Sequence, residues 1–107
     1  MATPEITLQQ LHARLEAGDK PFLLDVREPH ELEISKLDGV VNIPMGEVPA
    51  RLSELDKNTE IVVVCRSGGR SDRITNFLVS EGFTDVKNMV GGMNGWATQI
   101  DTSLPTY

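Results

Sequence analysis

The 107-residue sequence contains one cysteine, Cys65, in the stretch Cys65-Arg66-Ser67-Gly68-Gly69-Arg70-Ser71. A thiolate is a strong nucleophile, and the residues that follow this one are useless for packing a core. Gly68 and Gly69 permit positive φ and a tight reversal. Successive amides in such a reversal form a nest for an anion. A helix beginning near Ser71 aims its free N–H groups and positive end at the same spot. Arg70 adds a forked, permanently charged donor. The pattern predicts a thiolate in a cradle of donors, with room for an anionic group attached to the sulfur. Two chemistries meet that description: phosphoryl transfer, and transfer of a sulfane sulfur held as a persulfide. The plainer alternative makes Cys65 a small hydrophobe that closes a buried strand.

The flanking elements place this loop. Ile61-Val62-Val63-Val64 is the most β-prone run of the chain and delivers Cys65. After the loop, Ser71 caps a predicted helix over 72–81, with Ile74, Phe77 and Leu78 inward and Gly82 as its stop. Further strands are predicted over 22–26, 40–43 and 86–90. A first helix capped by Thr7 carries Leu8, Leu11 and Leu15 on one face and ends at Gly18. Short helices are expected over 28–35, 48–55 and 94–99, the last carrying Trp96 in the core. Short, non-alternating apolar strands between helices predict an α/β domain with a central, mostly parallel sheet of about five strands covered on both faces. In such sheets the site lies beyond the carboxyl ends of the strands, where the Cys65 loop falls.

Composition narrows the function. The length fits one domain, residues 1–107, large enough to fold without staples. A single cysteine forms no internal disulfide and cannot by itself supply a four-ligand zinc site. His12 and His30 lack ligand spacing and are expected on the surface, so no metal or other cofactor is expected. A net charge of −6 argues against nucleic acid and anionic membranes as partners. Residues 1–7 lack a signal-peptide pattern, and no apolar run approaches ~18 residues. A cytoplasmic location is the expectation.

The loop resembles the active loop of rhodanese-like sulfurtransferases, and matches continue along the chain in order. Leu24-Asp25-Val26-Arg27-Glu28 is similar to that family's segment after its second strand. Gly39-Val40-Val41-Asn42-Ile43-Pro44 resembles its G-A-x-N-I-P signature, and Gly91-Gly92-Met93-Asn94-Gly95-Trp96 its closing G-G-x-x-x-W element. Ser35-Lys36-Leu37 departs from the family's usual Gly-His-Ile, which removes a local hydrogen bond. The tail Asp101–Tyr107 looks like the end of rhodanese domains fused to adenylyltransferases that activate sulfur carriers. The resemblance implies a Cys65 persulfide loaded from thiosulfate or another persulfide donor and unloaded to cyanide, a thiol or a sulfur-carrier protein. It implies that Arg66, Ser67, Gly68, Gly69, Arg70 and Ser71 bind the transferred group, and that Asp25 and Arg27 support the loop, with Arg27 near the donor anion. Two alternatives remain at this point. A phosphatase or arsenate reductase on the same fold resembles it, but cysteine phosphatases have five residues between cysteine and arginine. Here there are four, which encloses a smaller circle of amides suited to one sulfur. A non-catalytic binding module on the same fold is the other.

Overall fold

The computed structural model describes residues 3–107; Met1 and Ala2 lie outside them. In chain order the elements are β1 (Glu5–Ile6), α1 (Leu8–Glu16), β2 (Phe22–Asp25), α2 (Pro29–Leu32), β3 (Val41–Asn42), β4 (Ile61–Val64), α3 (Gly69–Ser80), β5 (Val86–Met89) and α4 (Gly92–Gln99). The five strands form one sheet in the order β1-β5-β4-β2-β3. Every pairing is parallel.

β4 is central, and all four of its residues are buried. Its side chains still alternate between two cores, as the strand pleat requires. Ile61, Val63 and Cys65 face a layer with Ile74 and Leu78 of α3 and Val48 and Leu55 of the 3-10 turns. Val62 and Val64 face the opposite layer, with Leu8 and Leu11 of α1 and Met93 and Trp96 of α4. Each such fully buried Val or Ile contributes roughly 1.5–3 kcal/mol. Burial on both faces explains why the strand reads as an unbroken apolar run.

Several sequence expectations hold. Thr7 caps α1 in a reciprocal box with Gln10: the Gln10 N–H donates to Thr7 Oγ1 at 3.0 Å and the Thr7 N–H to Gln10 Oε1 at 2.9 Å. Trp96 is buried. Others are corrected. Ser71 is not the cap of α3; the helix begins at Gly69, and Gly68, with φ of 113°, is the cap. The backbone reverses at that glycine, so the helix starts three residues earlier than the side-chain signal suggests. α4 likewise starts at Gly92, behind Gly91 with φ of 94°. The predicted helix over 48–55 is a pair of 3-10 turns, broken where Arg51 takes φ −117° and ψ 20°. β1 was not expected, because two residues carry no periodic signal. His30 is exposed as expected, whereas His12 is half-buried edge-on against Trp96, with ring centroids 5.9 Å apart.

The segment after β2 is tied down by charge rather than by secondary structure. Asp25 and Arg27 are both fully buried and form an ion pair, with Arg27 Nη2 2.7 Å from Asp25 Oδ2. The Asn42 side chain braces the same turn by donating to the Asp25 and Arg27 backbone oxygens at 3.0 and 2.8 Å. Removing one partner of a buried pair strands the other charge in a low dielectric. Arg27→Met is expected to cost about 3–5 kcal/mol of unfolding free energy, read from urea denaturation; a loss under about 1 kcal/mol would contradict this role for the pair.

Candidate active site

Cys65 follows the last residue of β4 and is 1% exposed. The Gly68 N–H donates to its sulfur at 3.0 Å. The Ser71 hydroxyl lies 3.2 Å away on the other side. The sulfur thus lies between a backbone N–H and a hydroxyl at the first turn of α3.

The orientation of the loop peptides has a structural cause outside the loop. The first amides of α4 reach across: Met93 N–H donates to the Cys65 carbonyl at 2.8 Å, and Asn94 N–H to the Arg66 carbonyl at 3.0 Å. In a planar trans peptide the N–H points opposite to the carbonyl before it. Holding these two carbonyls on α4 therefore turns the N–H groups of Arg66 and Ser67 the other way, into the turn. The Gly68 carbonyl is held at the start of α3 by the Asp72 N–H at 3.0 Å. The close approach depends on Gly92. A β-carbon there would fall 2.4 Å from the Arg66 carbonyl carbon and 2.6 Å from the Cys65 carbonyl oxygen, and φ is +61°. The G-G-x-x-x-W element is thus part of the site's frame rather than a turn alone.

Ser71 is buried within α3 and does more than the sequence suggested. Its hydroxyl lies 2.5 Å from Asn88 Oδ1 and 3.2 Å from the Gly68 carbonyl, besides the cysteine sulfur. It has one proton for these partners. With Cys65 as a thiol, the S–H fits Ser71 Oγ while the hydroxyl donates to Asn88. With Cys65 as a thiolate, the hydroxyl proton has to turn to the sulfur. Asn88, buried on β5, was missed by the sequence reading. Its signal was available: an asparagine inside an apolar strand that pairs with β4 at Val63.

Arg70 is tied to α2. Its guanidinium makes a two-pronged pair with Glu31 of α2, at 2.7 and 2.8 Å. Glu31 also accepts from the Glu28 N–H and from the Tyr107 hydroxyl, each at 2.8 Å. The Arg70 hydrogen bonds, opposed by burial and helped by these two donors, lower the Glu31 pKa from 4.5 to about 2. Arg27 spends all five N–H groups inside the protein, on Asp25, the Glu31 and Ser35 backbone oxygens and the Tyr107 hydroxyl. None is left for a small anion. The expectation that Arg27 sits near the donor gives way to a bracing role, one carboxylate removed from Arg70. Ser67 and Gly69 are exposed on the rim, as is Arg66. Ser35, where the family's usual Gly-His-Ile begins to differ, has a buried hydroxyl without a partner.

Two surface clefts, of about 550 and 210 Å³, lie elsewhere, lined around Trp96 and Leu104 and around Leu8 and Val90. Cys65 lines neither of them. Among the described residues no cluster of three or more His, Cys, Asp or Glu could hold a metal ion, and no helix is long and apolar enough to cross a membrane.

Known proteins resemble this chain in sequence and fold. The Rhodanese-like domain family profile matches residues 7–99. The chain is 41% identical over 98 residues to the Bacillus subtilis protein named "Putative sulfur carrier protein YrkF", covering 92% of this chain and 53% of that one. It therefore spans about half of that relative's length. It is 34% identical to a sulfurtransferase of Allochromatium vinosum, covering 87% of each. The solved human single-domain sulfurtransferase TSTD1 superposes with a TM-score of 0.78 at 26% identity, covering 92% of this chain and 98% of that one.

The Glu31 contacts predict an acid transition. A carboxyl whose folded pKa lies below its unfolded value stabilises the fold above pH 4.5, and that contribution fades as pH falls toward about 2. The stability gap between the native protein and Glu31→Gln should therefore close across that interval, followed by urea midpoints at stepped pH. Curves that stay parallel would show that Glu31 is not held by Arg70 in solution.

Proposed function

The chain belongs to the rhodanese-like family, and from that premise we propose that it is a sulfurtransferase working through a persulfide on Cys65. The observation that carries the proposal is the sulfur at the base of the loop, with the Gly68 N–H at 3.0 Å and the carbonyls of Cys65 and Arg66 drawn off by α4. The Cys65 thiolate attacks the outer sulfur of thiosulfate or another persulfide donor. The donor's S–S bond breaks, and sulfite or the donor thiolate leaves with the bonding pair. A persulfide remains, its terminal sulfur carrying the negative charge that the loop amides of 66–69 are turned to receive. A thiophilic acceptor such as cyanide, a small thiol or a cysteine thiol of a sulfur-carrier protein then attacks that terminal sulfur, and the Cys65 thiolate leaves with the bonding pair. No external oxidant or reductant is needed in either step.

Residue roles follow. Cys65 is the nucleophile. Gly68 and Gly69 give the turn, and Ser71 offers a hydroxyl to the sulfur when it is charged. Arg66, exposed beside the cysteine, attracts an anionic donor. Arg70, Asp25 and Arg27 hold the loop's far end in place. With one cysteine in the sequence, no neighbouring thiol can discharge the persulfide as an internal disulfide. A cytoplasmic setting belongs to the same proposal, because the cycle needs Cys65 reduced. The name of the Bacillus subtilis relative and the tail's resemblance to adenylyltransferase-fused domains support a sulfur-carrier protein as acceptor.

Incubation with thiosulfate should add ~32 Da, one sulfur, to the intact protein, and cyanide should remove it with formation of thiocyanate. Cys65→Ser should lose adduct and turnover together. Absence of any adduct from thiosulfate or from a small persulfide, alongside hydrolysis of an aryl phosphate, would replace sulfur transfer by phosphatase chemistry.

A further inference from the structure

Tyr107 meets the loop at a point that the chemistry above does not use. Its phenol is fully engaged: the hydroxyl donates to Glu31 Oε1 at 2.8 Å and accepts from Arg27 Nη1 at 2.9 Å. Burial is the first cause that pushes this phenol above its usual pKa of 10.0, so it stays a donor. Its backbone is fixed as well. The Tyr107 N–H donates to Asn94 Oδ1 at 3.1 Å, and its backbone oxygen accepts from Asn94 Nδ2 at 2.9 Å. These four bonds run to a buried arginine, a buried carboxylate and α4, all rigid parts of the molecule.

The remaining partner is Arg66. Its guanidinium carbon lies 4.9 Å from the centroid of the Tyr107 ring, and its Nη2 donates to the Tyr107 backbone oxygen. Arg66 is the one exposed member of the group, so the direction of support is clear: the anchored tyrosine holds the exposed arginine. An unsupported arginine beside Cys65 would lose rotamer freedom each time it met an anion. Stacked on a fixed ring, it has already lost it, and its unused N–H groups stay available. The same ring links both ends of the loop, Arg66 directly and Arg70 through Glu31.

We propose that Tyr107 is a positioning residue that holds the Arg66 guanidinium beside Cys65 and so tunes the site toward anionic reactants. This rests on the reading of Cys65 as the loop nucleophile, but not on sulfur being the group transferred. The probes are two alkylating agents of similar size, iodoacetate, which is an anion, and iodoacetamide, which is neutral. Their rate ratio at Cys65 cancels any change in the sulfur itself and in overall fold. Tyr107→Ala should lower the iodoacetate-to-iodoacetamide ratio about threefold or more, the scale of one cation–π contact with its hydrogen bond. Arg66→Ala should lower it at least as far, and the double variant no further than Arg66→Ala, since the tyrosine acts through the arginine. An unchanged ratio in Tyr107→Ala, or effects of the two substitutions that multiply in the double variant, would overturn the proposal. A protein that fails to form a persulfide yet shows this pattern would keep the inference and lose the sulfur-transfer reading.

Discussion

Two hydrogen bonds from α4, Met93 N–H to the Cys65 carbonyl and Asn94 N–H to the Arg66 carbonyl, are the constraint on which the site depends. The heptad Cys65–Ser71 orients its Gly68 groups itself, through the cysteine sulfur and the Ser71 hydroxyl, but the carbonyls of Cys65 and Arg66 take their direction from α4. With the two α4 bonds made, those carbonyls are spoken for and the amides turn inward. They require the backbone of Gly92 to lie where any side chain would collide with Arg66. The parallel sheet brings this about, because β5 leads into α4 on the same edge at which β4 ends in Cys65.

A second layer of order is electrostatic. Asp25 neutralises Arg27 within the interior, Arg27 orients the Glu31 and Ser35 carbonyls and the Tyr107 hydroxyl, and Glu31 grips Arg70. Charges so deeply buried would be costly alone; here each has several hydrogen bonds, which is the condition under which they are tolerated. The result is a loop fixed at its start by α4 and at its end by α2. The Cys65 sulfur is held by backbone and hydroxyl groups, not by a neighbouring base.

Much of this was legible in the sequence because it is local. Ile61–Val64 announced a doubly buried strand, and the sudden run of Gly, Ser and Arg after it announced a loop with a purpose. The sheet and the resemblance to the rhodanese-like family followed from patterns within a few residues of one another. What stayed hidden joins distant positions. Glu31 reaches Arg70 across 39 residues and Tyr107 across 76. No periodicity links such pairs. The cap of α3 was misplaced for a different reason: serine is a common cap, but Gly68 in the left-handed region turns the chain sooner. Arg27 was expected near the donor anion from the family resemblance; its five filled donors could be counted only in three dimensions.

The most direct test of the α4 constraint is the alkylation rate of Cys65 by iodoacetamide in Gly92→Ala, set beside Gly39→Ala. Both glycines have positive φ, +61° and +79°, but only Gly92 has backbone atoms where a β-carbon would go. A methyl group at either position incurs the left-handed penalty of roughly 1–2 kcal/mol. If α4 orients the loop, Gly39→Ala keeps the native rate and Gly92→Ala loses most of it while retaining its far-ultraviolet circular dichroism. Equal rates in the two variants would contradict the account.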